Sequence, residues 1–215
     1  MLLAAGKAAE QNGVQLVIHA MGEQAIDLIV NTFYGKKSWL TDAPSIRIEH
    51  AAMPANQALK RAAEMGIAFV PQPIFLYAEI ESYLKNLGSE RTKTTYPIKR
   101  ILEAGIKVAF SSDAPATAWA DPVDPFVGIK SAVTRIAYDG TDTGQDQRID
   151  LPTAITLYTR AAQEITRIRY VGQLTPGYHA DFIVLDRDIL EISLDEIDRV
   201  RVEETYMGGS LVFKR

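Results

Sequence analysis

Short apolar runs and helical patterns alternate along the first two thirds of the chain. The opening MLLAAGKAAEQNG reads as a helix closed by Asn12 and Gly13, since glycine accepts the left-handed turn that ends helices. Val14–His19 (VQLVIH) is a compact apolar run and predicts a buried strand. Gly22–Gly35 places Ala25, Leu28, Ile29 and Thr32 at helical spacing. Ser45–Ala51 (SIRIEHA) predicts a second strand, and Pro54–Gly66 a helix with proline at its start and glycine at its end. Ile67–Pro73 predicts a third strand, stopped by prolines, and Ile106–Asp113 a fourth. Helices are expected over Thr95–Gly105 and Asp124–Ile136. Strands of this length alternating with helices predict right-handed βαβ units and a parallel sheet.

Further along, the pattern changes. Tyr138–Asp150 is polar and reads as a loop, and Leu151–Thr166 as a helix. Gly172–Asp188 joins a Pro-Gly turn to an apolar strand, and Val200–Arg215 reads as two strands meeting at Gly208-Gly209, a two-residue hairpin signal. A division into an α/β part, 1–170, and a β-rich part, 171–215, is therefore expected.

Charge and composition narrow the function. The net charge is -4 and the charged residues are mixed along the chain, without the basic stripe that nucleic acid requires. Cysteine is absent, which excludes disulfides and thiolate metal sites; a cytoplasmic location is expected. Lys7 and Glu10 interrupt the opening apolar residues too early for a secretory signal, and no apolar run is long enough to span a membrane.

In parallel α/β folds the active site lies at the C-terminal ends of the strands. Three of the four predicted strands end there on a possible metal ligand: His19, His50 and Asp113. One histidine at a strand end is ordinarily a packed cleft residue. Two histidines and an aspartate at matching ends require that coincidence three times. Imidazole and carboxylate together make the usual ligand set of hydrolytic zinc sites. Asp113, in SSDAP, suits a turn cap as well, but a carboxylate ending a buried strand is costly unless paired or bound to a cation. It is also placed to act as general base toward a metal-activated water.

Other polar residues divide more evenly. Gln72, between prolines, faces either a substrate or its own backbone. Arg47 and Glu49 alternate with Ile48, on the face opposite His50; they are expected to face the helices as a structural ion pair. Trp119 and the nearby Pro115, Pro122 and Pro125 form a substrate wall or simply pack. His179, in PGYHADF, reads as a solvated turn residue.

The segments VIHAMGEQAID (Val17–Asp27), RIEHAAM (Arg47–Met53) and FSSDAP (Phe110–Pro115), in this order, resemble the amidohydrolase superfamily. The branch is the one that includes N-substituted formamide deformylases and exoenzyme regulatory proteins. GQLTPGYHADFIVLD (Gly172–Asp186) resembles that superfamily's return from the barrel to a small β-sandwich. The resemblance implies the C-terminal half of a (β/α)8 TIM-like barrel, strands five to eight, followed by a β-sandwich portion. It implies His19, His50 and Asp113 as metal ligands, with Asp113 also catalytic, and a divalent metal, zinc by preference. The implied activity is hydrolysis of a non-peptide carbon–nitrogen bond in a small amide substrate. The family's His-x-His pair and carboxylated lysine have no counterpart here, so the chain is expected to be an incomplete C-terminal piece, inactive by itself. An open half-barrel would expose sheet edges and an inner apolar face including Val17, Ile48 and Ala109, and a homo-oligomer is expected. The alternative is a non-catalytic or regulatory domain of the same fold that binds a metal or a partner.

Overall fold

The computed structural model describes all residues, Met1–Arg215. Helix α1 (Leu2–Gln11) leads into strand β1 (Leu16–Ala20), helix α2 (Glu23–Phe33), strand β2 (Ile46–His50), helix α3 (Asn56–Met65) and strand β3 (Ala68–Val70). The three strands form one parallel sheet in the order β1-β2-β3. Helix α2 forms because Ile26, Ile29, Val30 and Phe33 fall on one buried stripe, while Glu23 in its first turn faces the positive end of the helix dipole. Helix α3 stops at Gly66, whose φ of 65° lets its N–H return to the carbonyls of Ala62 and Ala63.

Ile46 and Ile48 of β2 belong to the main core together with Ile26, Ile29 and Val30 of α2 and Ala58, Leu59 and Ala62 of α3. Burying an isoleucine such as Ile48 completely is worth about 1.5–3 kcal/mol. Ala68 and Val70, the register partners of Arg47 and Glu49, lie instead in a small cluster with Ala109 and Ile165. The apolar face of β2 is thus the helix face, and Arg47 and Glu49 lie on the other side of the sheet. This reverses the expected orientation of that pair. It also corrects the expected inner face, for Ile48 is fully buried against the helices and Ala109 is buried too; Val17 alone of the three is exposed.

The predicted fourth strand is only partly one. Val108 makes a single parallel bridge to Phe69, supported by Phe69 N–H to Lys107 O and Ala109 N–H to Phe69 O. The segment lies on the far side of β3 as expected, and Ser111 N–H reaches Pro71 O, but the pairing is interrupted and forms no regular ladder. Pro71 and Pro73 supply no N–H to continue it, and Phe110 N–H turns to Leu157 O. Helices α4 (Ile74–Ala78), α5 (Ile80–Leu87), α6 (Ser89–Lys93) and α7 (Ile98–Glu103) fill the interval before it. After it come α8 (Pro125–Thr134), then α9 (Leu151–Tyr158) and α10 (Arg160–Ile165), which break at Thr159 what the sequence suggests is one helix.

Strands β4 (Phe182–Leu185), β5 (Val202–Met207) and β6 (Ser210–Lys214) make a second, antiparallel sheet. Its hairpin turns at Gly208 and Gly209, both at positive φ, as a two-residue turn demands. Phe182 stacks on its register partner Tyr206, with centroids 4.5 Å apart. Between β4 and β5, Ile189, Ile197 and Val200 join the main core. No helix is long and apolar enough to cross a membrane.

One buried cation ties the loops together. Arg135, at the left-handed end of α8, is almost fully buried. Its guanidinium donates to the carbonyls of Thr95, Tyr96, Thr143 and Gly144. Burial pulls its pKa down to about 10, still far above neutrality. Replacing Arg135 by Met leaves those carbonyls without donors, a loss of about 3–5 kcal/mol by comparison with other broken buried polar networks. The expected result is a lower urea midpoint with an unchanged slope; a shift within error would show that water replaces the guanidinium.

Candidate metal centre

Strand β2 ends on His50, and β1 carries His19 one residue before its end at Ala20. Their parallel register pairs His19 with Glu49 and Ala20 with His50. Strict alternation would therefore point His50 toward the helices, on the side of Ile48. The backbone leaves the extended region instead: His50 has φ 69° and Ala51 φ 47°. That turn brings the His50 ring edge-on to His19, with centroids 4.4 Å apart, and stacks it on Phe75 of α4 at 5.6 Å. It also sets His50 Nε2 3.8 Å from Asp113 Oδ2. Asp113 too is left-handed, at φ 53°. Such backbone at a non-glycine residue costs on the order of 1–3 kcal/mol, and the cost recurs at functional sites. Here two of the three candidate ligands carry it.

His50 is buried whereas His19 and Asp113 are exposed. Burial lowers the His50 pKa from 6.5, and the neighbouring His19 adds to the effect; Asp113 and the Gln72 carboxamide oppose it. The ring is thereby held neutral, the state in which it can ligate a metal. Glu49 lies on the same side. Arg47 Nε and Glu49 Oε1 are 2.7 Å apart, although too poorly aligned for a hydrogen bond. Burial raises the Glu49 pKa, the Arg47 charge opposes it, and Asp113 adds a smaller upward push. The ion pair is present as expected, but it borders the site.

Gln72 is buried, and its amide nitrogen donates to Val70 O and to Ser111 Oγ, both at 2.8 Å. Trp119 packs edge-on to Tyr77, at 5.2 Å, and lies 5.8 Å from Tyr138. Ala118 N–H donates to Glu79 Oε1, so this loop is pinned against α4 and α5. His179 is exposed in a turn whose backbone N–H reaches Tyr170 O. Phe75, Ser111 and Glu49 are neighbours of the site that strand-end reasoning passes over. Only Glu49 left a signal, because Ile46 and Ile48 mark the opposite face.

A divalent metal is held by ligand atoms about 2.0–2.2 Å away, so two ligands of one ion lie at most about 4 Å apart. The 3.8 Å between His50 Nε2 and Asp113 Oδ2 meets that limit and is too long for a hydrogen bond. His19 closes on His50, yet no three side chains converge as a complete set. The residues present therefore suit a divalent metal in chemical kind, and one pair of them in spacing.

A parallel α/β sheet carrying imidazole and carboxylate at its strand ends defines the class of site in which hydrolases hold metals. The chain belongs to the amidohydrolase family, whose pattern residues 3–213 match. It is 31% identical over 211 residues to YtcJ of Bacillus subtilis, covering 96% of this chain and 39% of that protein. It is 28% identical over 210 residues to the N-substituted formamide deformylase of Arthrobacter pascens, covering 96% of this chain and 38% of the enzyme. An uncharacterized metal-dependent hydrolase from Pyrococcus horikoshii has a similar structure: TM-score 0.73, 28% identity, with 88% of this chain and 37% of that one covered. The chain thus spans under two fifths of the length of each of these relatives.

The depressed His50 pKa has a definite consequence for stability. The unfolded chain takes up the proton near pH 6.5, while the folded chain resists until a lower pH. Stability from this residue is complete above about 6.5. It falls as pH drops from there through the folded value. His50→Gln should flatten the stability curve in that window and leave its shape above pH 7 unchanged. Identical curves for the two proteins, measured by urea denaturation across pH 5–8, would contradict the assignment.

Proposed function

We propose that His19, His50 and Asp113 contribute the ligands of a divalent metal, zinc by preference, in the C-terminal half of a (β/α)8 barrel, strands five to eight. The activity served is hydrolysis of a non-peptide carbon–nitrogen bond in a small amide. The observation that carries this proposal is the His50–Asp113 approach at 3.8 Å, produced by left-handed backbone at both residues. The name of the formamide deformylase, with 28% identity, supports the choice of bond.

A metal in such a site supplies Lewis acidity, which polarises an amide carbonyl and makes a water acidic near neutral pH. Neutral His50 offers Nε2. The Asp113 carboxylate, exposed and facing His50, takes the proton from the attacking water and returns it to the departing nitrogen. Glu49 and Arg47 line the adjacent sheet face and fix the local charge. One observation favours a second reading, a domain that binds a metal or a partner without turnover: no three ligands converge.

Metal content after gel filtration separates these. The 215-residue chain should retain zinc weakly, His50→Ala should lose it, and His179→Ala should match the parent. Turnover of a simple formamide by the chain alone should be at or near background. Stoichiometric zinc surviving His50→Ala would remove this triad from consideration, and robust hydrolysis would show that three converging ligands are not needed. The β1 edge is unpaired and Val17 is exposed on it, so the chain should self-associate; a single monomeric mass by light scattering at micromolar concentration would contradict that.

A further inference from the structure

Two buried polar atoms beside the candidate centre have no hydrogen-bond partner: Nδ1 of His50 and Oε1 of Gln72. Their side chains border the same site: the His50 ring stacks on Phe75, whose N–H donates to Gln72 O, and the Gln72 amide reaches Ser111, two residues before the Asp113 that faces His50. The orientation of that carboxamide is fixed from its other end. Its amide nitrogen donates to Val70 O and to Ser111 Oγ, both at 2.8 Å. A carboxamide flip would set its oxygen against the Val70 carbonyl, acceptor against acceptor. The oxygen is therefore the atom left over, an acceptor with no donor. His50 Nδ1 is the complementary leftover, the one buried imidazole nitrogen of the site without a partner.

We propose that Gln72 is a positioning residue that accepts a hydrogen bond from His50 Nδ1–H and so fixes the imidazole tautomer with Nε2 bare. Neutral imidazole carries one proton, and the bond made by one nitrogen decides the state of the other. Two acceptors compete for it. Asp113 lies toward Nε2, but at 3.8 Å and on a side chain 43% exposed; water satisfies it. Gln72 is 1% exposed, and its oxygen, like His50 Nδ1, has no other partner. Leaving a buried acceptor without a donor is costly, and that cost favours the tautomer that satisfies Gln72. The bare Nε2 then faces Asp113, where the proposed metal would bind. Ser111 supports Gln72 in turn, so a residue two positions before Asp113 orients the ring that faces Asp113.

This inference rests on the proposed metal site for its purpose, but the tautomer itself can be read without any metal. The full 215-residue chain, labelled with 15N in its histidine rings, is compared with His50→Gln at pH 7.5 in chelator to assign the His50 signals. The expected spectrum has the proton on Nδ1 and none on Nε2. Gln72→Leu should move the proton to Nε2, and Ser111→Ala, which removes only one anchor of the carboxamide, should give a partial shift in a chain that keeps its native dispersion. If Gln72→Leu does not fold, Ser111→Ala decides. Zinc affinity should fall in parallel by roughly 10 to 100-fold, as for other residues that orient a ligand. A proton on Nε2 in the parent, or an Nδ1 proton unmoved in every folded variant, overturns the assignment. A tautomer that responds as expected in a chain that binds no zinc upholds the positioning role and rejects the metal site.

Discussion

The site depends on a conflict between strand register and backbone direction at His50. Parallel pairing of β1 with β2 is fixed by apolar burial: Ile46 and Ile48 must meet the helices, and a slip of one residue would turn them away. That register places His50 opposite Ala20, on the helix side. Only a left-handed exit frees the ring to cross over. The strain is borne by the burial around it, because Ala51 and Ala52 are fully buried and Tyr96 N–H holds Ala52 O. Packing of the helix face thus supports the energy of an unfavourable backbone at the sheet end.

Tyr96 links that corner to the rest of the molecule. Its carbonyl is one of those gripped by Arg135, and its hydroxyl meets that of Tyr83 in the buried interior. The chain after β2, the turn before α7 and the loop after α8 therefore share one hydrogen-bonded framework. Gly144 contributes to it where only glycine fits, for its φ is 99° and a Cβ there would lie 2.2 Å from Lys93 O. The framework holds the chain just after His50 through Ala52, although none of its members is a candidate ligand.

Much of this was legible in the sequence. The strand end at His50, that at His19 to within one residue, the parallel order and the Gly208-Gly209 hairpin follow from apolar runs and glycine placement. What misled was alternation carried one residue too far. It assumes extended backbone through His50, so it sent Arg47 and Glu49 to the wrong face, although Ile46 and Ile48 already marked the right one. Helix α4 left no trace because all five of its residues are buried, and a segment buried on every side has no polar face to reveal its period. The segment at Ile106–Asp113 has a strand's composition, but its neighbour ends in prolines, and pairing depends on both partners.

Placing Glu49 on the site side changes how charge is balanced there. Glu49 and Asp113 are like charges near one another, which disfavours ionising both. Arg47 offsets Glu49 at close range, while Asp113 remains open to solvent and to His50. The two carboxylates are thereby made unequal: one is half-buried beside a fixed cation, the other is exposed to solvent. The inequality arises from β2 itself, since residues two apart on a strand share a face and Arg47 reaches Glu49 without help from any other element. The sequence Arg-Ile-Glu-His thus places an internally compensated ion pair beside the imidazole on the strand that delivers it.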